Sequence, residues 1–144
     1  MNNLSSIFIP KHVQIIDDDL DDQMLLEEAL LEINADMTFY KSSNGKEGLS
    51  SLQNVNMPRP DIIFADLNMP SMNGRQFLFQ IMQDPQLNTI PVVIYSTAFD
   101  TVEVDLVLKL GASAFLQKPN DFKMLVEKLK EKLISIMMNN HPLL

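Results

Sequence analysis

The sequence predicts a three-layer α/β fold, with a five-stranded parallel sheet of order 2-1-3-4-5 and five helices on its two faces. Three observations predict it. Short apolar runs alternate along the chain with amphipathic segments of helical period. Two of the runs, Ile62-Ile63-Phe64-Ala65 and Val92-Val93-Ile94-Tyr95, are apolar throughout, as strands buried on both faces are. Strict strand–helix alternation then demands right-handed crossovers and a parallel sheet, and 2-1-3-4-5 is the natural order for five such strands.

The first strand is read at His12–Ile16. A helix follows from about Leu20, with Leu26, Ala29, Leu30 and Ile33 on one face. Met37–Tyr40 is the second strand. Asn44–Gln53 reads as a weaker helix, because Gly45 and Gly48 lower its propensity. Pro58 and Pro60 mark a loop before the third strand. The turn Asn68–Gly74 leads into a helix carrying Phe77, Leu78, Ile81 and Met82. Pro91 opens the fourth strand. Asp100–Leu110 is helical, with Gly111 as its cap. Ser113–Leu116 is the fifth strand. The last helix starts near Asn120 and ends near Met138, with Phe122, Leu125, Val126, Leu129, Leu133 and Ile136 as its stripe. One domain is expected over residues 11–138, with tails at 1–10 and 139–144. No fused DNA-binding output domain is expected beyond that span.

Composition narrows the function classes. The chain has 144 residues, enough for one core of ordinary size. It has no Cys, which excludes disulfides, thiolate zinc sites and Cys nucleophiles. The net charge is −8, from 11 basic and 19 acidic residues. That disfavours nucleic acid and anionic membranes, whose binding needs Lys and Arg. No apolar run reaches membrane-spanning length, and the N-terminus lacks the basic region of a signal peptide. A cytoplasmic location fits. The 10 Met residues read as core filler.

In such a fold, ligands sit beyond the carboxyl ends of the strands. The first strand ends in Asp17-Asp18-Asp19, the third in Asp66, the fourth in Ser96-Thr97 and the fifth in Lys118-Pro119. Asp19 suits a helix N-cap. Asp17 and Asp18 cap nothing obvious, and two adjacent carboxylates at a buried strand end repel each other. A hard divalent cation offsets that repulsion and takes oxygen ligands. Asp17 or Asp18, Asp66 and one backbone carbonyl can supply the protein share. Carboxylates also act as phosphoryl-accepting nucleophiles, and such transfer needs mainly positioning and charge neutralisation. Asp66 is therefore the candidate phosphoacceptor. The cation, Lys118 and the Ser96 hydroxyl would each meet phosphoryl oxygens. Each feature alone has a bland reading: a cap, a turn Asp, a solvated lysine. Their conjunction at four strand ends favours the site.

At these residues the chain resembles the receiver domain of two-component response regulators, a CheY-like module of flavodoxin-like fold. The resemblance covers about residues 11–138. It rests on Ile15–Asp19, Phe64–Pro70, Asn73-Gly74, Pro91–Ala98 and Gly111–Pro119. It implies that Asp17 and Asp18 hold Mg²⁺ (or Mn²⁺) with Asp66 and the backbone carbonyl of Asn68. It implies that Asp66 is the phosphoacceptor and Lys118 the phosphate-binding lysine. Ser96 and Phe115 match the switch pair, and the Lys118–Pro119 bond is expected to be cis. Gly48 stands where many members carry Ala. Phe115 replaces the commoner Tyr, and Ser96 the commoner Thr.

The resemblance also supplies partners: a sensor histidine kinase or histidine phosphotransfer protein as donor, and an unidentified downstream protein. His12 and His141 are not the donor histidine. A monomer or weak dimer is expected. Phe79 on the third helix, with Val102, Leu106 and Leu110 on the fourth, forms a candidate docking surface. The same residues admit rival readings. A receiver that binds its partner without phosphorylation remains open, as does an aspartyl-nucleophile phosphatase, although Asn68 is no general acid for a leaving group. A calcium loop at Asp17–Glu28 has Asp22 where Gly is required. An FMN carrier would not place three carboxylates where its phosphate sits.

Overall fold

The computed structural model describes residues 9–140, with no side-chain description for 139 and 140. The expected tails fall largely outside this range, and His141 lies outside it. Five strands are present: β1 (His12–Ile16), β2 (Thr38–Ser42), β3 (Ile62–Asp66), β4 (Val92–Ser96) and β5 (Ala114–Gln117). Five helices alternate with them: α1 (Leu20–Ile33), α2 (Gly45–Gln53), α3 (Gly74–Gln83), α4 (Thr101–Leu110) and α5 (Phe122–Asn140). All pairings are parallel, in the order β2-β1-β3-β4-β5.

Alternation along β1 divides the core. Val13 and Ile15 face α1 and α5, in a cluster with Leu26, Leu30, Phe64, Leu129 and Leu133. Ile16 faces the other layer, with Ile63, Phe77, Leu78, Ile81, Ile94 and Val107. The period-2 pattern of a central strand thus feeds two cores, and both apolar helix stripes find a sheet face. Ile9 packs against the first cluster, ahead of β1.

The element boundaries differ from the sequence reading at a few places, each for a physical reason. β2 runs two residues further, to Ser42, because Ile15 and Ile16 pair with Lys41 and Ser42. Asn44 and Asp100 are N-caps rather than helical residues: their side chains accept from Glu47 N and Val102 N. α5 continues past Met138 to Asn140. Phe122, assigned to the buried stripe, is exposed because it opens the helix beyond the end of β5. Gly111 caps α4 with a φ of 122°, as its position implied.

Gly48 does more than weaken α2. A Cβ there would come within 2.4 Å of Ile16 Cδ1. The missing side chain lets α2 approach β1 closely. Buried Gln14 uses that approach, donating from Nε2 to the Gly48 carbonyl at 3.2 Å.

Candidate functional site

The carboxyl ends of β1, β3, β4 and β5 gather Asp17, Asp18, Asp66, Ser96 and Lys118 at one edge of the sheet. Each is set there by local backbone chemistry. Asp17 N–H donates to the Ser42 carbonyl at 3.0 Å, extending the β1–β2 ladder by one bond. Asp17 Oδ1 accepts from Asp19 N–H at 3.0 Å. Asp19 caps α1 by accepting from Asp21 N–H and Asp22 N–H at 2.9 and 3.2 Å. The chain leaves β1 and enters α1 within three residues, so Asp17 is buried and Asp18 faces solvent.

Asp66 ends β3 and is only 8% exposed. The loop after it closes back tightly. Gly74 N–H donates to the Leu67 carbonyl at 2.8 Å. A Cβ on Gly74 would lie 2.5 Å from the Asp66 carbonyl oxygen, so only glycine permits this closure. Asn68 lies exposed in the same loop. Asn73 then opens α3 with a capping box to Gln76.

Ser96 is buried at the end of β4, where its Oγ accepts from Ala98 N–H at 3.2 Å. Lys118 N–H donates to the Ser96 carbonyl at 2.8 Å, which fixes the Lys118 backbone just beyond β5. Phe115 is buried in β5 among the α3–α4 core residues. Its ring meets that of Phe99 edge-on, with centroids 6.1 Å apart.

Lys118 holds the constellation together. Its side chain is 8% exposed, and Nζ donates to Asp17 Oδ2 at 2.9 Å and to Asp22 Oδ2 at 2.8 Å. Asp66 Oδ1 lies 3.5 Å away. The ammonium also sits 4.9 Å from the centre of the Tyr95 ring. The bond from Lys118 to Pro119 is trans, which corrects the expected cis bond. X–Pro bonds favour trans by about 0.5–1 kcal/mol unless the surroundings override it. Here the ammonium already reaches two carboxylates with the bond trans.

Burial and charge shape the titration of the group. Asp66 is raised to about 6, chiefly by burial, with Asp17 and Asp18 adding repulsion against the opposing pull of Lys118. Asp17 is raised as well, by burial first, against the Asp19 N–H and Lys118. Burial works against the charge of Lys118, yet hydrogen bonds to Asp22 and Asp17 and the field of Asp66 outweigh it, so its pKa is raised. Burial pushes the Tyr95 phenol up to about 12. Three carboxylates thus share one ammonium, and negative charge is in excess.

That excess defines a site for a hard cation. Asp17, Asp18 and Asp66 each offer a carboxylate oxygen, and these oxygens all lie within 4.8 Å of one another. The donor set is all oxygen, which suits Mg²⁺ or Mn²⁺ and suits softer metals poorly.

Three members escaped the sequence reading. In the sequence Asp22 reads only as a residue out of place in a calcium loop, yet in the first turn of α1 its carboxylate reaches Lys118 at the strand ends. Gln23 is buried, and its Nε2 donates to the carbonyls of Asp17 and Ser42 at 2.5 and 3.0 Å. Its signal was a polar residue at i−3 from Leu26, on the apolar face. Tyr95 read only as a strand residue. The candidate docking residues divide. Phe79, Leu106 and Leu110 line one open groove between α3 and α4, together with Met72 and Arg75. Val102 is 74% exposed and lies outside that lining.

Known proteins are similar to this chain in sequence and in fold. The response regulator Rcp1 of Synechocystis is 31% identical over 118 residues, spanning 79% of this chain and 80% of that protein. The two-component response regulator ARR17 of Arabidopsis thaliana is 31% identical, spanning 92% and 90%. Against the transcriptional regulatory protein DegU of Brevibacillus brevis, the chain spans 47% of the relative's length. The Mn²⁺-bound form of Rcp1 superposes with a TM-score of 0.76 at 30% identity, covering 85% of this chain and 91% of that one. The phosphorylated cyanobacterial phytochrome response regulator RcpA superposes with a TM-score of 0.81 at 26% identity, covering 93% and 98%. The family model of the response regulator receiver domain matches residues 13–130, and with this fold and this site the chain belongs to that family.

Proposed function

We propose that this chain accepts a phosphoryl group on Asp66 from a phosphohistidine of a sensor kinase or histidine phosphotransfer protein. The observation that carries the reading is the position of Asp66: nearly buried, 3.5 Å from the Lys118 ammonium, and grouped with two further carboxylates. With its pKa raised to about 6, Asp66 is mostly ionised at neutral pH and is a competent nucleophile. One carboxylate oxygen attacks the phosphorus, the P–N bond breaks, and the imidazole leaves with the electron pair and takes up a proton. Lys118 supplies positive charge beside the transferred group. The Ser96 hydroxyl, at the adjacent strand end, is the second donor.

Asp17, Asp18, Asp66 and the Asn68 carbonyl would hold Mg²⁺ or Mn²⁺. The cation, when bound, neutralises charge on the phosphoryl oxygens. Gln23 and the Asp19 N–H keep the Asp17 backbone and carboxylate oriented toward that position.

Output is a protein–protein contact. Ser96 turns its hydroxyl from the Ala98 N–H toward the phosphoryl group, and Phe115 repacks against Phe99 and the loop before α4. A partner that prefers the repacked state then shifts the equilibrium. The groove of Phe79, Leu106 and Leu110 is one surface for such contact. No described helix is long and apolar enough to cross a membrane. The net charge of −8 argues against direct nucleic-acid binding.

The test is intact mass after incubation with acetyl phosphate, with and without Mg²⁺, on wild type and Asp66→Asn. The expected result is a gain of one phosphoryl group that requires both Mg²⁺ and Asp66. Labelling of Asp66→Asn to the same extent would overturn the assignment.

A further inference from the structure

The ammonium of Lys118 has partners of two kinds. Asp17 and Asp66 belong to the trio of carboxylates whose oxygens converge, and Asp22 does not. Asp22 stands in the first turn of α1, where the Asp19 cap holds its N–H, and its side chain is 29% exposed. It nevertheless makes the shortest of the three contacts to Nζ, at 2.8 Å.

Asp17 is committed at both oxygens: Oδ1 to Asp19 N–H and Oδ2 to Lys118. A cation that recruits Asp17 draws on the same carboxylate charge that holds Lys118, and so loosens that pair. Lys118 is largely buried, and a buried ammonium that loses a partner pays heavily unless another carboxylate remains. Lysine has three N–H donors, so Asp22 can keep one while the other two change partners.

From this geometry we propose that Asp22 is a positioning residue for the cation site. It retains the Lys118 ammonium as Asp17 passes to a divalent cation, and it keeps Nζ beside Asp66. Without the Asp22 charge, Lys118 has only the cation's own ligands to pair with, and it competes with the metal for them. The inference rests on the cation reading given under the proposed function.

The test is a double-mutant cycle on Mn²⁺ affinity, measured by calorimetry and by the electron paramagnetic resonance signal of free Mn²⁺. The proteins are wild type, Asp22→Asn, Asp22→Glu, Lys118→Met and the Asp22→Asn/Lys118→Met pair. The expected result is that Asp22→Asn weakens Mn²⁺ binding about tenfold, whereas the same change costs less than about threefold once Lys118 is Met. Asp22→Glu, which keeps the charge, should restore most of the loss. An equal loss in both backgrounds would mean that Asp22 acts only as a nearby charge and would overturn the proposal. So would an unchanged affinity in Asp22→Asn. Failure of the wild type to bind Mn²⁺ would instead overturn the cation reading, which separates the two failures.

Discussion

Replacing Asp66 by Asn should stabilise the metal-free protein at neutral pH, although it removes the proposed phosphoacceptor. Burial raises the Asp66 carboxyl from 3.8 to about 6. Between those values the folded state holds a proton that the unfolded chain has released. Folding is then linked to proton uptake, so stability falls as pH rises from about 4 to about 6 and levels off above. A shift of roughly two units is worth about 3 kcal/mol, at about 1.4 kcal/mol per unit. Asn mimics the protonated acid and escapes this loss. The pull of Lys118 on Asp66 is already counted in the net shift. For a domain of this size, about 1 kcal/mol moves Tm by roughly 3 °C. In EDTA, Asp66→Asn should therefore melt about 5–10 °C above wild type at pH 7.5, with the gap closing near pH 4. Thermal melts by circular dichroism at four or five pH values measure it. Added Mg²⁺ should narrow the gap at pH 7.5 by stabilising the wild type preferentially. A variant no more stable than wild type at pH 7.5, or a gap independent of pH, would refute the reasoning.

Other perturbations probe the remaining parts of the account. Lys118→Met leaves Asp17 and Asp66 without their shared cation and should cost about 3 kcal/mol at pH 7 in EDTA, measured by urea unfolding, with part of the loss recovered on adding Mg²⁺. Gly74→Ala would place its Cβ 2.5 Å from the Asp66 carbonyl oxygen, so it should destabilise by about 1–3 kcal/mol and slow acetyl phosphate labelling; wild-type labelling rates would contradict the strand-end closure. Leu129→Ala opens a cavity between α5 and the sheet and should cost about 2–5 kcal/mol, read as an earlier urea midpoint with unchanged slope.

The strand ends were legible because parallel topology leaves few arrangements. Three runs rich in β-branched and aromatic residues, each followed by a polar residue, place Asp17, Asp66 and Ser96 at one edge once the order is known. Lys118 follows from the same rule one strand further on. What stayed hidden depends on three-dimensional neighbours. Gly48 looks like a propensity defect until Ile16 is seen beneath it. Asp22 looks like a solvated helix residue until Lys118 is seen opposite, because that pair spans most of the chain. Gln23 breaks the apolar face of α1, and only the carbonyls of Asp17 and Ser42 explain it. The Lys118–Pro119 isomer hangs on a small local preference that tertiary surroundings decide, so the residues around it did not settle it.

The central claim is that the Asp66 carboxylate, among all the acidic groups at this edge, takes the phosphoryl group. Borohydride trapping tests it most directly, because it reduces an acyl phosphate to the alcohol and converts the modified aspartate to homoserine. Protein treated with acetyl phosphate and Mg²⁺, then reduced, digested and sequenced by tandem mass spectrometry, should carry homoserine at position 66. Homoserine at 17, 18 or 22 instead, or at no position despite a phosphoryl mass gain, would contradict the account.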